Sequence, residues 1–287
     1  MFTVKQLITL LQDFNPECKV LSLTKKPIEF GGWLQKGNEP RIKSAKEIYF
    51  FELNLKKKMS DKILIIPDIH GRSFWKEPCE SWKGDIVFLG DYHDPYGHSI
   101  GEPDLNESFF NLKDLVEFVS KRENHINCLL GNHDCSYYTG RFKCRYDYMN
   151  DREVLRLIQE LKPQISYELW YDVNGVYNKY LFTHAGVTKN WLDYHQIKDV
   201  GTLTMDNLDI LEEVPFSRGG ESYYGSPIWN SLEDFQDEEH LPEYYQIFGH
   251  TWGGRTEPVI TDTYAMLDCG KAFVLDLATK KITEWNK

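Results

Sequence analysis

Five short apolar runs between residues 62 and 249 each end abruptly in side chains that can bind a metal ion or transfer a proton. They are KILIIP before Asp68 and His70, DIVFLG before Asp91 and Asp94, INCLLG before Asn132, His133 and Asp134, KYLFT before His184, and YYQIFG before His250. Apolar runs of this length, bounded by Gly or Pro, predict strands that are buried on both faces. Because open α/β sheets bind ligands beyond the carboxyl ends of their strands, we expect these side chains to meet at one edge.

Helical patterns lie between several of these runs. Residues 106–122 and 151–161 each place apolar side chains on one helical face. Alternating strands and helices predict an α/β fold. The C-terminal stretch TYAMLDCGKAFVLDLATKKITEW is instead typical of antiparallel strands, with turns near residues 268–271 and 279–280. We therefore expect a mixed β-sheet rather than a purely parallel one.

The N-terminal segment has a different organisation. It contains a predicted helix, two predicted strands and a loop, at residues 3–14, 19–23, 47–53 and 27–40. The polar, charged stretch at residues 54–61 reads as a linker. We therefore predict a small α+β module at residues 1–58, an appended structural or interaction module, ahead of a main domain at residues 60–287.

Composition narrows the partners and the compartment. A formal net charge of −11 disfavours duplex nucleic acid, whereas a small phosphorylated substrate is compatible if a bound metal supplies local positive charge. The six cysteines form no CxxC pair, which favours reduced thiols in the cytoplasm. No stretch is apolar enough to predict a membrane span or a signal peptide, so we expect no membrane partner.

The donor types at the strand ends point to metal chemistry. Carboxylate, imidazole and amide oxygen, without cysteine, suit Mn, Fe, Zn or Mg. Two ions about 3.5–4 Å apart, bridged by one carboxylate, can each bind a phosphate oxygen and lower the pKa of a water between them. The glycines before Asp91, Asn132 and His250 predict sharp backbone turns that let the side chains converge.

The order of these motifs resembles that of the calcineurin-like metallophosphoesterases. More narrowly, PDIHG, LGDYxD, LLGNHD, FTHAGV and FGHT look like the phosphoprotein phosphatase branch, which includes bacterial and phage enzymes and the diadenosine tetraphosphatases. The tail MLDCGKAFVLDL also resembles the closing strands of that branch, so the likeness covers about residues 60–287. It implies a four-layer α/β fold, a mixed β-sheet sandwich flanked by helices.

The resemblance also implies roles for individual residues and a cofactor of two divalent or trivalent metal ions, Mn, Fe or Zn. The first ion would be held by Asp68, His70 and Asp91, and the second by Asn132, His184 and His250, with Asp91 bridging. His133 would be the general acid, oriented by Asp134, and Asp94 would support the ligands from behind. For Asp94 and Asp134, a turn or helix-capping role is the alternative. His93 has no counterpart, and we interpret it as a solvated loop residue.

Four positions depart from the family pattern. Trp252 stands where many metallophosphoesterases have a further His, although the phosphoprotein phosphatase branch also lacks that His. Pro95-Tyr96 and Leu130 stand where that branch commonly has Arg-Gly and Arg, and those arginines grip the phosphate. The candidates for a replacement grip are Arg72, Arg141, Arg145 and Arg218.

These features leave three hypotheses for function. The first is hydrolysis of a phosphomonoester, such as a nucleotide or phosphopeptide, by metal-activated hydroxide. The second keeps the site but changes the substrate, giving a phosphodiesterase or a hydrolase of dinucleoside polyphosphates or nucleotide pyrophosphates. The missing arginines and several tyrosine-rich loops motivate this alternative. The third is a binding protein without activity, which the intact set of ligand positions disfavours.

Overall fold

The structure is a computed structural model that describes residues 61–97, 102–122 and 125–286, together with the backbone of two short strands near the N-terminus. These strands, β1 (Leu23–Thr24) and β2 (Phe50–Phe51), pair antiparallel and overlap the predicted strands at 19–23 and 47–53. The predicted helix at 3–14 and the loop at 27–40 lie outside the described residues. The chain divides into two units, Met1–Met59 and Ser60–Lys287.

The first sheet of the second unit has five strands. They are β3 (Lys62–Ile66), β4 (Ile86–Phe88), β5 (Ile126–Cys128), β11 (Phe273–Asp276) and β12 (Ile282–Glu284). Their order is β12-β11-β3-β4-β5. The central strands β3, β4 and β5 are parallel, whereas β11 runs antiparallel to both of its neighbours. Every residue of β4 is buried, which explains why its sequence is continuously apolar.

The second sheet also has five strands and is also mixed. They are β6 (Ser166–Val173), β7 (Val176–Thr183), β8 (Tyr245–Phe248), β9 (Val259–Ile260) and β10 (Tyr264–Met266), in the order β6-β7-β8-β10-β9. Strands β7, β8 and β10 are parallel, and the edge strands β6 and β9 are antiparallel to their neighbours. All five apolar runs of the sequence are therefore strands, as predicted.

Helices connect the strands of both sheets. The described α-helices are α1 (Lys76–Ser81), α2 (Leu105–Ser120), α3 (Asn132–Thr139), α4 (Asp151–Glu160), α5 (Lys189–Tyr194), α6 (Leu208–Leu211) and α7 (Leu232–Asp237). Short 3-10 turns cover Val200–Thr202, Met205–Asn207 and Phe216–Arg218. The helices predicted at 106–122 and 151–161 are confirmed as α2 and α4. None of the helices in the described ranges is long and apolar enough to span a bilayer.

The two sheets form a sandwich with helices on its outer faces. On one side, Leu112 of α2 and Ile158 of α4 belong to the same buried cluster as Leu64 of β3. On the other side, Leu181 of β7 shares a buried cluster with Trp191 of α5. These contacts confirm the predicted α/β class, with two mixed sheets flanked by helices.

Side chains that point the other way fill the space between the sheets. Ile63 and Ile65 alternate with the helix-facing residues of β3 and are fully buried. The Tyr180 hydroxyl of β7 donates a hydrogen bond of 2.6 Å to the carbonyl of Leu277, just after β11. This bond joins the second sheet directly to the first.

The C-terminal strands differ from the prediction in one respect. The antiparallel pairing is correct for β11 and β12, but β10 lies in the other sheet and pairs parallel with β8. Residues 267–272 therefore cross from one sheet to the other instead of forming a hairpin turn. Sequence periodicity identifies a strand but not the sheet that it joins, because that choice depends on distant packing. The crossing places Asp268 beyond the carboxyl end of β10.

Candidate metal centre

The predicted ligands converge where the carboxyl ends of the two sheets meet. Asp91, just after β4, has its Oδ2 atom 3.4 Å from His70 Nε2 and 3.4 Å from His184 Nε2. His184 Nε2 in turn lies 3.0 Å from Asn132 Oδ1, at the start of α3. These four side chains are at most 4% exposed. Ligands contributed by both sheets therefore face one small buried volume.

Two groups of side chains could each hold a metal ion. One contains His70, Asp91 and His133, and the other contains Asp91, His184 and His250, with the ligand atoms of each group within 4.8 Å of one another. Asp91 belongs to both groups, so its carboxylate is the donor that they have in common.

Asp68 lies nearer to the second group than the sequence assignment implies. Its two carboxylate oxygens accept the His250 backbone N–H at 3.1 and 3.0 Å. Asp68 Oδ2 is 4.0 Å from His184 Nε2. The carboxylate therefore ties the end of β3 to the end of β8, across the boundary between the sheets.

Hydrogen bonds to backbone carbonyls orient the histidine rings. His70 Nδ1 lies 3.1 Å from the Asp94 carbonyl, and His184 Nδ1 lies 2.8 Å from the Leu89 carbonyl. Since a carbonyl can only accept, each Nδ1 carries a proton, which leaves each Nε2 as the ring nitrogen that could bind a metal ion. His250 Nε2 is buried without a hydrogen-bond partner among the described residues. A cation would satisfy all three nitrogens, so these residues fit a metal centre.

The backbone is strained at this centre. Four non-glycine residues adopt the left-handed conformation, with φ of 45° at His70, 52° at Asp91, 54° at Asp94 and 69° at His250. Each such residue costs on the order of 1–3 kcal/mol and persists only where the surroundings enforce it. Strain of this kind gathers at functional sites, which agrees with the clustering of ligand atoms.

Glycines next to the ligands leave room for carboxylate oxygens. A Cβ atom at Gly249 would lie 1.9 Å from Asp68 Oδ1, and one at Gly131 would lie 2.1 Å from Asp91 Oδ1. The predicted need for an unusual turn holds for Gly90, whose φ is +108°. At Gly131, whose φ is −89°, the close approach of a carboxylate is the reason for glycine instead.

Electrostatics in the metal-free centre favour a bound cation. Burial raises the pKa of Asp68 to about 6, although His184 opposes the shift. Burial also acts to raise the pKa of Asp91, but the His184 and His133 imidazoles outweigh it and hold that pKa well below its usual value. His184 shows the converse, because Asp91 and Asp68 overcome burial and raise its pKa to about 10. A protonated His184 thus supplies positive charge that a metal ion would replace.

His133 is held by Asp94, not by Asp134. Its Nδ1 lies 3.0 Å from Asp94 Oδ2, while the Tyr137 hydroxyl donates to the other oxygen of Asp94. Both Asp94 and Tyr137 are buried. Asp94 therefore fixes the orientation of the His133 ring, and the expectation that Asp134 does so is wrong.

Asp134 instead organises the backbone around the bridging carboxylate. Its Oδ2 accepts the N–H groups of Gly131 at 2.9 Å and Asp91 at 2.8 Å, and its Oδ1 accepts that of Tyr92 at 3.1 Å. Its position in the first turn of α3 explains this, because a carboxylate there reaches back to the residue that precedes the helix.

Two of the four candidate arginines lie at the centre. Arg145 Nη2 is 3.1 Å from His133 Nε2, and its Nε donates to the Asp94 carbonyl at 3.3 Å. Arg218 Nη2 donates to Thr251 Oγ1 at 2.9 Å, one residue after His250. Arg145 therefore contacts a side chain of the cluster directly, and Arg218 contacts the residue that follows one.

The other two arginines have different partners. Arg72 donates to the carbonyls of Ile69 and Asp68, each at 3.0 Å, and so braces the loop that carries the first ligands. Arg141 lies 3.7 Å from Asp209 and 3.8 Å from Glu212. Of the four, Arg141 is the weakest candidate for a phosphate contact.

Two of the residues that depart from the family pattern, Tyr96 and Trp252, lie close together. The rings of Tyr96 and Trp252 have centroids 5.0 Å apart, and Tyr96 lies 4.8 Å from the His70 ring. The Arg145 guanidinium lies 4.0 Å from the Tyr96 ring centroid. An aromatic pair therefore borders the His70 side of the centre.

His93 is buried, so the interpretation of it as a solvated loop residue is wrong. It is 1% exposed, with Nδ1 2.6 Å from Ser108 Oγ and Nε2 3.4 Å from Asp147 Oδ2. These contacts join α2 to the loop before α4. The preceding Tyr92 is also buried, so this stretch is interior.

Sequence reasoning missed Asp268. Its side chain is 1% exposed, and neither carboxylate oxygen has a hydrogen-bond partner among the described residues. The one signal in the sequence was an acidic residue directly after the apolar run YAML. Local periodicity predicts a hairpin turn there instead, because it carries no information on the parallel pairing of β10 with β8.

Comparisons with known proteins identify no family for the chain. No family model and no curated protein matches it. Among solved structures, a cold-active protein-tyrosine phosphatase of a psychrophilic Shewanella species is 14% identical, with a TM-score of 0.44 over 78% of this chain and 80% of that one. A protein serine/threonine phosphatase from Saccharomyces cerevisiae, with similarity to human phosphatase PP5, is 14% identical, with a TM-score of 0.41 over 79% and 80%. Likeness at this level carries no activity over to this chain.

Proposed function

We propose that this protein hydrolyses phosphate monoesters at a centre of two metal ions bridged by Asp91. The observation that carries the proposal is the position of Asp91, which is shared by two groups of potential ligands. Because Nδ1 of His70 and of His184 is hydrogen-bonded to a carbonyl, Nε2 of each ring is available to bind an ion. Among the described residues, neither group of potential ligands contains a cysteine. The motif order that resembles the metallophosphoesterases supports the same reading.

The residues that would hold the ions are those predicted from the sequence. Asp68, His70 and Asp91 would hold one, and Asp91, Asn132, His184 and His250 the other. Mn, Fe or Zn suits this mixture of oxygen and nitrogen donors. When bound, the two ions would supply positive charge to phosphate oxygens and lower the pKa of a water between them.

His133 is the candidate general acid. Burial acts to lower the pKa of its imidazole, but the Asp91 and Asp94 carboxylates outweigh burial and raise that pKa. Asp94 holds Nδ1–H, so a second proton would reside on Nε2, on the outer side of the centre. From that atom a proton can pass to the leaving-group oxygen as the ester bond breaks.

Arg145 and Arg218 would grip the phosphoryl group in place of the absent arginines. Arg145 points a donor at His133 Nε2 and therefore cannot stay there once that nitrogen is protonated. A bound phosphate offers the guanidinium a stronger, anionic acceptor. Arg218 reaches the same outer side beside His250 and gives a second cation.

The test is hydrolysis of p-nitrophenyl phosphate by EDTA-treated protein after addition of Mn²⁺. We expect strong stimulation by the metal, with activity abolished in Asp91→Asn and in His184→Ala. Arg141→Ala is the matched control. Because Arg141 contacts Asp209 and Glu212, this variant should be as active as the wild type. Equal turnover by wild type and both ligand variants at saturating metal would refute the proposal.

The aromatic pair Tyr96 and Trp252 favours a second candidate, hydrolysis of a phosphodiester or a dinucleoside polyphosphate. Aromatic rings at the border of the centre can stack on a nucleobase. Rates on a phosphopeptide, bis-p-nitrophenyl phosphate and diadenosine tetraphosphate separate the candidates. A loss on the dinucleotide in Trp252→Ala, with the phosphopeptide rate unchanged, would favour this second function.

A further inference from the structure

Asp268 occupies a position equivalent to that of His250 on the neighbouring strand. β8 and β10 are parallel, with Met266 opposite Phe248, and the ladder continues because the Leu267 N–H donates to the Phe248 carbonyl at 2.8 Å. Two residues beyond that pair stand His250 on one strand and Asp268 on the other. The register therefore brings Asp268 to the edge of the sheet at which the ligands converge.

The carboxylate of Asp268 lacks the partners that a buried charge requires. It is 1% exposed, and among the described residues neither oxygen accepts a hydrogen bond. Burying a carboxylate without a partner is costly unless a cation meets it or it becomes neutral. Asp134 is equally buried but accepts three backbone N–H groups. The two carboxylates are therefore equally buried but differ in whether donors meet their charge.

The charged groups around Asp268 are those of the metal centre. Asp68, Arg72, His184 and Asp91 all act on it electrostatically. Arg72 is the nearby cation, but its Nε and Nη2 donate to the carbonyls of Ile69 and Asp68. Protonated His184 supplies positive charge only in the metal-free centre, so an ion bound between the carboxylates is the remaining partner for Asp268.

We propose that Asp268 is a further carboxylate ligand of the centre, on the side of Asp68. This inference rests on the proposed function, since it assumes that ions bind around Asp91. It assigns a further donor to the ion for which the motifs supply only Asp68, His70 and Asp91. Trp252 stands at the position where many metallophosphoesterases have a further His. The interior-facing carboxylate would replace part of the water that a three-ligand ion otherwise carries.

The test is Mn²⁺ binding to EDTA-treated protein, measured by isothermal titration calorimetry. Asp268→Asn keeps the shape of the side chain and removes its charge. We expect one binding step to weaken about 10–100-fold while the other is retained. The Tm of the metal-free variant should not fall, because no hydrogen bond is lost. Asp91→Asn, which removes the bridging carboxylate, should weaken both steps.

Asp147→Asn is the control for loss of a buried carboxylate. Asp147 is also 1% exposed, but it accepts the N–H groups of Met149 and Asn150, each at 3.0 Å. We expect this variant to lower Tm and to leave Mn²⁺ binding unchanged. Unchanged binding in Asp268→Asn alongside weakened binding in Asp91→Asn would overturn this inference alone. Weakened binding with a Tm loss equal to that of Asp147→Asn would also overturn it. Unchanged binding in both would overturn the proposed function as well.

Discussion

Replacing Asp94 by Asn should disable the general acid without removing a metal ligand. Asp94 Oδ2 lies 3.0 Å from His133 Nδ1, and the carboxylate also accepts the Tyr137 hydroxyl. A hydrogen bond to a charged group contributes about 1.5–3 kcal/mol, and each 1.36 kcal/mol of barrier corresponds to a factor of about ten in rate. If the loss of this hydrogen bond raises the activation barrier by its full contribution, kcat should fall roughly 10- to 150-fold.

The assay compares two substrates at saturating Mn²⁺. Protonation of the leaving oxygen matters more for phenyl phosphate than for p-nitrophenyl phosphate, whose leaving group departs readily as an anion. The fall in kcat should therefore be larger for phenyl phosphate. The Asp94 carboxylate also contributes to the raised pKa of His133, so its removal lowers that pKa. Because the acid must be protonated, the alkaline limb of the kcat profile should move to lower pH.

Tyr137→Phe is the matched control. It removes one hydrogen bond to Asp94 but keeps the carboxylate beside His133, so the effect should be smaller. The assignment of Asp94 would be refuted by equal losses for both substrates together with an unmoved pH profile. A simultaneous loss of Mn²⁺ affinity would also contradict the assignment, because Asp94 is assigned to orient His133 and not to bind a metal ion.

Two further predictions follow from single contacts. Gly249→Ala should weaken Mn²⁺ binding and lower Tm, because the new Cβ would lie 1.9 Å from Asp68 Oδ1. Isothermal titration calorimetry measures the binding, and thermal unfolding measures Tm. A wild-type affinity together with a wild-type Tm would contradict the close approach. Asp104→Ala should destabilise the fold by about 1 kcal/mol in urea unfolding, since Asp104 and Glu107 form the capping box of α2, and kcat should be unaffected.

The strands and the types of donor were predictable from local sequence. An apolar run that ends in a donor side chain predicts a strand whose end carries a candidate ligand, and this holds for β3, β4, β5, β7 and β8. The predicted burial holds along all of β4 and β8, but the first two residues of β5 and the first half of β7 are partly or fully exposed. Asp91 and His184 also converge as expected, although they follow strands of different sheets, β4 and β7, so the common edge of one sheet does not account for their contact. Their contact at 3.4 Å is confirmed by the structure.

The pairing of neighbouring acids was not predictable from spacing. Asp134 follows His133 directly, yet Asp94, distant in sequence, holds the imidazole. Side chains of adjacent residues at a helix start point in different directions, and one of them is taken up by capping the helix. Arg145 illustrates the same limit, since its approach to His133 depends on the path of the loop after α3.

Local patterns in the amino-acid sequence are enough to predict an α/β fold with acidic and imidazole groups at the ends of apolar strands, because periodicity is a local property. The contacts among those groups depend on the tertiary structure. It placed Asp94 rather than Asp134 against His133, and it placed β10 in the second sheet, which brought Asp268 to the sheet edge at which the ligands converge. The physical reason is that strand register and sheet membership are set by packing between residues far apart in the chain.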